Sequence, residues 1–262
     1  AGCLASMRAA LRPETKLILI EVVSNPTLRV ADLHGLVALA QERGILLAVD
    51  NTFTTPRAVQ PLLPGADIVI HSVTKLLAGH SDVTLGYVAA KTPQLRQQML
   101  DFSITAGLTA SPFDCWLAER GLLTFDLRFE RAQQNAQDLA ETLSGLSGVK
   151  RVLYPKRLDH PDHALARKVI GQNTGNMVSF ELEGGRAAAN VFVQAAKGLA
   201  FAPTLGDVGT TLSHPASSSH RALSEQARLA LGITEGFFRI SVGLEPIQNL
   251  QSVLVDAVRA AS

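Results

Sequence analysis

The sequence lacks the features that would place it in several common protein classes. Its two cysteines, Cys3 and Cys115, offer neither a disulfide framework nor a zinc site. The formal net charge is +1, and the scattered charges form no basic stripe for nucleic acid. No apolar run is long enough to span a membrane, and the start shows no signal-peptide pattern. We therefore expect a cytoplasmic protein with no nucleic-acid or membrane partner.

The first half of the chain alternates apolar strands with an amphipathic helix. With 47% hydrophobic residues among 262, the chain can bury a sizeable core. Alternation of this kind favours helices packed on both faces of a mostly parallel sheet, the α/β fold class. The predicted elements are strands at Leu17–Ile20, Ile45–Asp50, Asp67–Ser72 and Leu85–Ala90, with a helix at Ala31–Arg43 that stops at Gly44.

The pattern changes after Phe125. A long helix is predicted over residues 126–143, and a closing helix over residues 246–260. Between them lie separated strands near Val149–Tyr154, Met177–Leu182 and Phe238–Val242. We predict two domains: residues 1–125 belong to a large sheet domain, and residues 126–262 form a smaller α+β domain.

The run from Ile68 to Asp82 places Lys75 directly behind two hydroxyls at the end of an apolar strand. Pyridoxal phosphate (PLP) enzymes need an amine that bonds to the cofactor aldehyde and hydroxyl donors that hold its phosphate. Lys75 is our candidate amine, with Ser72 and Thr74 as candidate phosphate ligands. A solvated surface lysine after a strand is the alternative for this short pattern.

Asp50 ends the uninterrupted apolar run that begins at Ile45. Ligands of parallel sheets bind at the carboxyl ends of the strands. A carboxylate there can pair with the protonated ring nitrogen of PLP. The alternative is that Asp50 only caps the turn through Asn51 and Thr52.

Arg239 lies within the apolar segment Phe237–Gly243. Arginine is seldom buried without a partner, and its planar fork suits a carboxylate. Arg239 is therefore a candidate anchor for the α-carboxylate of an amino acid. An internal salt bridge with one of the acids is the alternative.

Four segments occur in an order that resembles the Cys/Met-metabolism (transsulfuration) family of PLP enzymes. This family includes cystathionine γ-lyase, cystathionine γ-synthase, methionine γ-lyase and the homoserine-ester sulfhydrylases. The resemblance runs from about Leu17 to the C-terminus. It rests on Asp50–Pro56, His71–Asp82, His214–Ala216 with Ser219 and His220, and Arg239–Glu245.

The resemblance implies the fold and several residue roles. The fold would be that of the aspartate aminotransferase-like PLP enzymes, called fold type I. Asn25 would reach the cofactor ring oxygen or the substrate carboxylate, and Thr204 stands where the family usually has serine beside that carboxylate. Pro203 replaces a glutamate that is frequent in members acting on cystathionine, which weakens a specific prediction for that substrate.

The resemblance also implies a segment upstream of Ala1. Family members carry there a glycine-containing loop that binds the cofactor phosphate through exposed N–H groups at a helix N-terminus. A tyrosine that stacks on the cofactor ring belongs to the same region. The family further implies a homo-oligomer, a dimer or tetramer with closed symmetry.

Four functions follow as expectations. We favour a carbon–sulfur lyase that releases a thiol, a 2-oxo acid and ammonia from cystathionine, methionine or a related amino acid. A transferase that joins a thiol to an activated homoserine is the alternative within the family. A non-catalytic fragment or interaction subunit is the alternative from another class. A metal-dependent hydrolase using Asp50, His71, His80 and Asp82 ranks last, and no metal is expected.

Overall fold

The computed structural model describes residues 4–262, so Cys3 lies outside the described residues. Cys115 is exposed. The chain forms two compact units, and each of them contains a short segment from the other side of the predicted boundary at residue 125. Unit 1 contains the residues up to Ser24, Arg29–Phe125 and Ala164–Asn173, and unit 2 contains Asn25–Leu28, Asp126–His163 and Thr174–Ser262. The division into functional domains at residue 125 stays a prediction.

Unit 1 is built on a four-stranded sheet of order β1-β2-β3-β4. Strands β1 to β3 are parallel, and β4 runs antiparallel to β3. The strands are β1 (Leu17–Glu21), β2 (Leu46–Asp50), β3 (Ile68–Ser72) and β4 (Gly86–Ala90), and the helices are α1 (Leu4–Ala10), α2 (Leu33–Arg43), α3 (Thr55–Ala58), α4 (Pro93–Thr105) and α5 (Pro112–Leu122).

Helix α2 ends at Arg43 as predicted but begins at Leu33, two residues later than the predicted Ala31. The side chain of Asp32 accepts a hydrogen bond from Gly35 N at 3.1 Å, which satisfies an N–H of the first turn. Gly44 ends the helix in the left-handed region, at φ 62°, where a side chain would be strained. The helix packs on β2 through a face of apolar residues, Leu33, Leu36, Val37, Leu39 and Ala40.

Strand β1 buries only one of its two faces. Ile18 and Ile20 are each 4% exposed, whereas Leu17 is 43% and Leu19 is 60% exposed. The apolar run alone predicts an interior strand buried on both sides. The structure differs because successive side chains of a strand point to opposite faces, and only the isoleucine face is covered by the described residues.

Unit 2 contains a five-stranded sheet of order β5-β6-β9-β8-β7. All its neighbouring strands are antiparallel except β7 and β8. Its strands are β5 (Val149–Leu153), β6 (Met177–Leu182), β7 (Ala200–Phe201), β8 (Thr211–Ser213) and β9 (Phe237–Ser241); its helices are α6 (Phe125–Ser144), α8 (Gly185–Ala195), α9 (Glu225–Ala230) and α10 (Ile247–Ala261), with a 3-10 turn at Pro215–Ser217. Most of α7 (His163–Val169) belongs to unit 1.

The core of unit 2 is centred on three buried phenylalanines. Phe180 stacks on Phe238 with ring centroids 5.5 Å apart, and Phe192 meets Phe180 edge-on at the same distance. Helix α10 packs against α8. It buries one side at helical spacing, as its sequence period predicts, through Leu250, Leu254, Ala257 and Val258.

Glu181 on β6 is a buried carboxylate of unit 2 that holds two cations. Its oxygens accept from Lys150 Nζ at 3.0 Å and from Arg151 Nε at 2.6 Å, while its own side chain is 5% exposed. Burial pushes the pKa of Glu181 upward. The hydrogen bond from Lys150 and the charge on Arg151 outweigh burial, so the pKa falls below its ordinary value of 4.5.

We predict that Glu181→Gln lowers the free energy of unfolding by about 1–3 kcal/mol at pH 7, because two charged hydrogen bonds lose their anion. A lowered folded-state pKa means that the stabilisation is present above pH 4.5 and disappears as the pH falls through the folded-state pKa. Urea unfolding of both proteins across this range should therefore show their difference shrinking in acid.

Glu183→Gln is the matched control, because Glu183 is exposed at the end of the same segment. It should leave the free energy of unfolding and its pH dependence nearly unchanged. A Glu181→Gln protein as stable as the parent at pH 7 would contradict this account of the ion pair.

Candidate active site

The carboxyl ends of β2 and β3 meet at one edge of the sheet in unit 1. Asp50 ends β2 and Ser72 ends β3, and the two strands are paired in parallel. Both residues line an open cavity of about 380 Å³. Thr74 lines the same cavity, which is completed by Ile70, His71, Thr84, Leu85 and Gly86.

Thr52 links these two strand ends. Its backbone N–H donates to Asp50 Oδ1 at 2.9 Å, and its hydroxyl accepts from Ser72 N at 2.9 Å. Asp50 therefore does cap the following turn, as the simpler reading of the sequence proposed. The same carboxyl group also borders the cavity, so the capping bond fixes its position there without hiding it.

Lys75 lies in the turn that follows β3 and is partly buried. Its N–H donates to Ser72 O at 3.1 Å, and its carbonyl accepts from Gly79 N at 2.8 Å, which fixes its backbone. Thr74 Oγ1 accepts from Leu85 N at 2.9 Å and donates to Leu85 O at 3.3 Å. Lys75 follows a cavity-lining residue directly but is not itself among the lining residues.

His71 borders the cavity from the buried face of β3. Burial lowers the pKa of His71, and the charge on Asp50 only partly offsets this effect. Its Nδ1 atom is buried and has no hydrogen-bond partner among the described residues. A neutral ring beside Asp50 leaves that carboxylate available to another cation.

The residues of this cavity fit a PLP cofactor in their chemistry. A carboxylate, two hydroxyls and an amine are the groups that such a site needs for the ring nitrogen, the phosphate and the aldehyde. The chain places the first three around one cavity, and the residue that carries the amine, Lys75, directly follows the lining residue Thr74. No group of three metal-ligating side chains forms anywhere in residues 4–262.

Arg239 on β9 is the central residue of a second cluster, within unit 2. It is 3% exposed. Its Nη1 donates to Asn25 Oδ1 and its Nη2 donates to Thr204 O, each at 2.8 Å. Its Nε is buried and finds no acceptor within the described part of the chain.

The partners of Arg239 are a neutral amide and a neutral carbonyl, so the predicted alternative of an internal salt bridge is not the observed arrangement. Burial lowers the pKa of Arg239 to about 10. A guanidinium is still charged at neutral pH with this pKa. The site therefore holds a desolvated cation whose Nε donor has no partner among the described residues, which suits an incoming carboxylate.

A larger cavity of unit 1, about 990 Å³, lies between β4 and α4. It is lined mostly by apolar side chains, and Arg96 is its only charged one. Size alone would select it as the ligand site. We prefer the smaller cavity because only that one gathers the acid and hydroxyl groups that catalysis requires.

The predicted site residues thus fall into two groups. Asp50, Ser72 and Thr74 come together in unit 1 with Lys75 next to Thr74 in the chain, and Asn25, Thr204 and Arg239 come together in unit 2. The sequence analysis did not identify the hydroxyl residues that hold these side chains in place, Thr52 in unit 1 and Ser179 and Ser241 in unit 2. The position of Thr52 in the turn after Asp50 could have indicated it. The two serines stand alone on strands, and no sequence pattern distinguishes them.

Comparison with known proteins places this site in a family. Residues 2–259 match the family described as Cys/Met metabolism PLP-dependent enzyme. The chain is 42% identical over 250 residues to cystathionine beta-lyase MetC of Bacillus subtilis (strain 168), covering 95% of this chain and 64% of the relative. It is 40% identical to O-succinylhomoserine sulfhydrylase of Pseudomonas aeruginosa, covering 98% of this chain and 63% of the relative.

The fold agrees with a solved relative. Cystathionine gamma synthase from Xanthomonas oryzae pv. oryzae, in complex with cystathionine, aligns with a TM-score of 0.92 at 44% identity. The alignment covers 98% of this chain and 66% of that chain. This likeness confirms the predicted fold class.

The chain spans about two thirds of the length of the curated relatives that it matches. No helix within residues 4–262 is long and apolar enough to cross a membrane. The family match extends over nearly the whole sequence and includes both groups of candidate residues. The chain therefore belongs to the Cys/Met-metabolism family of PLP-dependent enzymes.

Proposed function

We propose that this chain carries the cofactor- and substrate-binding residues of a PLP-dependent carbon–sulfur lyase acting on a sulfur amino acid. The observation that carries the proposal is the cavity at the carboxyl ends of β2 and β3. There Asp50, Ser72 and Thr74 line one space, and Thr74 directly precedes Lys75 in the chain. The buried guanidinium of Arg239 supports an amino-acid substrate.

Each residue has a defined task in this proposal. Bound PLP supplies an aldehyde for the substrate amine and a ring that withdraws electrons from Cα. Ser72 and Thr74 would hold the cofactor phosphate through their hydroxyl groups, and the Asp50 carboxylate would pair with the ring nitrogen and favour its protonated form. Lys75 Nζ accepts the proton from the substrate Cα, as a general base in contact with the reacting atoms.

The second group holds the substrate by its α-carboxylate. Arg239 binds that carboxylate through its free Nε donor, while Asn25 and Thr204 keep the guanidinium in place. A fixed carboxylate limits the orientations of the substrate Cα–H bond, which is the positional contribution to the rate.

Elimination and replacement share these first steps. In elimination, a second proton leaves Cβ and the γ-substituent departs as a thiol, after which hydrolysis gives a 2-oxo acid and ammonia. In replacement, the γ-ester group of an activated homoserine leaves as a carboxylate, and the sulfur of an incoming thiol, which gives up its proton, forms the new bond to Cγ. The transferase stays the second candidate because relatives at 40% and 44% identity carry sulfhydrylase and synthase names.

The experiment is an assay of the chain with PLP and cystathionine or methionine, scored for 2-oxo acid, against O-succinylhomoserine with cysteine, scored for thioether product. Formation of 2-oxo acid supports the lyase, and thioether formation supports the transferase. If the chain binds PLP but turns over neither set, the non-catalytic alternative replaces this proposal. The predicted cytoplasmic location and homo-oligomeric assembly stay predictions.

We predict that Lys75→Ala lowers kcat/KM by about 10²–10⁴-fold or more, because both the covalent amine and the general base are removed. Lys91→Ala is the matched control in the same unit, because Lys91 is exposed and is not a lining residue of the candidate cavity. Steady-state kinetics of the three proteins provide the measurement. Normal turnover by the Lys75→Ala protein would contradict the assigned role.

We predict that Arg239→Lys raises KM for the amino acid roughly 10- to 100-fold while kcat falls less, because lysine keeps the charge but loses the planar fork. The affinity for PLP should stay close to that of the parent. Initial rates and a PLP titration of the same preparations provide the measurement. An unchanged KM in a folded variant would remove Arg239 from the substrate site.

A further inference from the structure

Arg239 lies in a row of buried hydroxyl residues on the sheet of unit 2. In the antiparallel register, Ser179 on β6 pairs with Arg239, and Arg239 pairs with Ser213 on β8. Ser241 follows two residues later on β9, on the same face. Ser179 and Ser241 are completely buried and Ser213 is 5% exposed.

Ser179 fixes the segment that carries Asn25. Its hydroxyl donates to Pro26 O at 2.6 Å. Asn25 is the preceding residue, and its Oδ1 accepts from Arg239 Nη1. A buried bond of this length holds the short Asn25–Leu28 segment on the sheet, so the amide oxygen has one position relative to the guanidinium.

Ser241 fixes the loop that carries Thr204. Its hydroxyl accepts from Gly206 N at 2.8 Å, and the amide of Asn176 donates to the same oxygen at 3.4 Å. Thr204 O accepts from Arg239 Nη2. The hydroxyl of Thr211 also donates to that carbonyl, at 3.2 Å, so the loop keeps one further attachment when Ser241 is changed.

We propose that Ser179 and Ser241 are positioning residues that hold the two acceptors of Arg239, so that the guanidinium keeps one orientation in which its buried Nε donor is left for a substrate carboxylate. This inference rests on the proposed function of Arg239. Two terminal nitrogens with fixed acceptors leave the guanidinium plane no freedom to turn. The unsatisfied Nε donor is then presented in one direction, which lowers the ordering cost of binding.

Ser213 provides a matched control in the same row. Its hydroxyl donates to the main-chain carbonyl of Arg239 at 3.3 Å, and it holds neither acceptor segment. Ser213→Ala therefore removes a buried hydroxyl next to Arg239 without freeing Asn25 or Thr204. A general effect of loosening the sheet would appear in this variant as well.

The test compares Ser179→Ala, Ser241→Ala and Ser213→Ala in two measurements. The first is hydrogen exchange of the Arg239 Nε–H, observed by ¹⁵N NMR in the chain without any ligand. The second is the dissociation constant for 2-methylalanine, an amino acid without a Cα hydrogen, measured by calorimetry on PLP-loaded protein. Cysteine variants, whose thiol is slightly larger than the hydroxyl and forms weaker hydrogen bonds, replace any alanine variant that does not fold.

We expect faster Nε–H exchange and a dissociation constant raised about 5- to 20-fold for the Ser179 and Ser241 variants, with Ser213→Ala within about twofold of the parent. PLP affinity should be equal in all four proteins. Unchanged exchange in both variants, or an equal effect of Ser213→Ala, would overturn the positioning role. If Nε–H exchange is faster in the Ser179 and Ser241 variants as expected, but the parent protein does not bind 2-methylalanine, the proposed function of Arg239 would be overturned instead.

Discussion

The desolvation of Arg239 is the constraint on which the candidate substrate site depends. A buried guanidinium costs several kcal/mol unless its donors are used, and the chain satisfies two of them with neutral oxygens from separate segments. The strand β9, the Asn25–Leu28 segment and the loop at Thr204 are thereby held in one arrangement. Neutral partners leave the positive charge uncompensated, and the proposed binding of a substrate carboxylate depends on this charge.

In unit 1 the candidate site is determined by the sheet, because the polar residues lie at the carboxyl ends of the parallel strands β2 and β3. Asp50 and Ser72 occupy neighbouring strand ends, and Thr52 joins them through its N–H and its hydroxyl. The buried His71 lies behind this edge with a lowered pKa, so Asp50 is not neutralised by an adjacent imidazolium. One edge of the sheet thus holds the acid and the hydroxyls, and Lys75 follows Thr74 in the chain.

Much of this arrangement was predictable from sequence because it depends on local patterns. The strand ending in Asp50, the amphipathic helix α10 and the helix stop at Gly44 were each predicted within a residue of their observed bounds. The role of Lys75 as the covalent amine stays a prediction. Its chemistry is read from its order behind Ser72 and Thr74 rather than from any contact in the structure.

The sequence could not supply features that depend on distant residues. Nothing near Arg239 in the chain indicates that its acceptors are Asn25 and Thr204, which lie far away in sequence. Likewise, the apolar strand β1 has Leu19 60% exposed, because burial depends on what covers each face and not on composition. The local sequence also could not decide whether Asp50 caps a turn or faces a ligand. In the structure Asp50 does cap the turn, and its residue lines the cavity as well.

The most direct test of a working cofactor site is covalent mapping of PLP on this chain. The purified chain is loaded with PLP, reduced with borohydride and digested, and the modified peptide is identified by mass spectrometry. The account predicts one stable adduct, on Lys75, with the other lysines unmodified at stoichiometric PLP. No adduct, or adducts spread over exposed lysines such as Lys91, would contradict it.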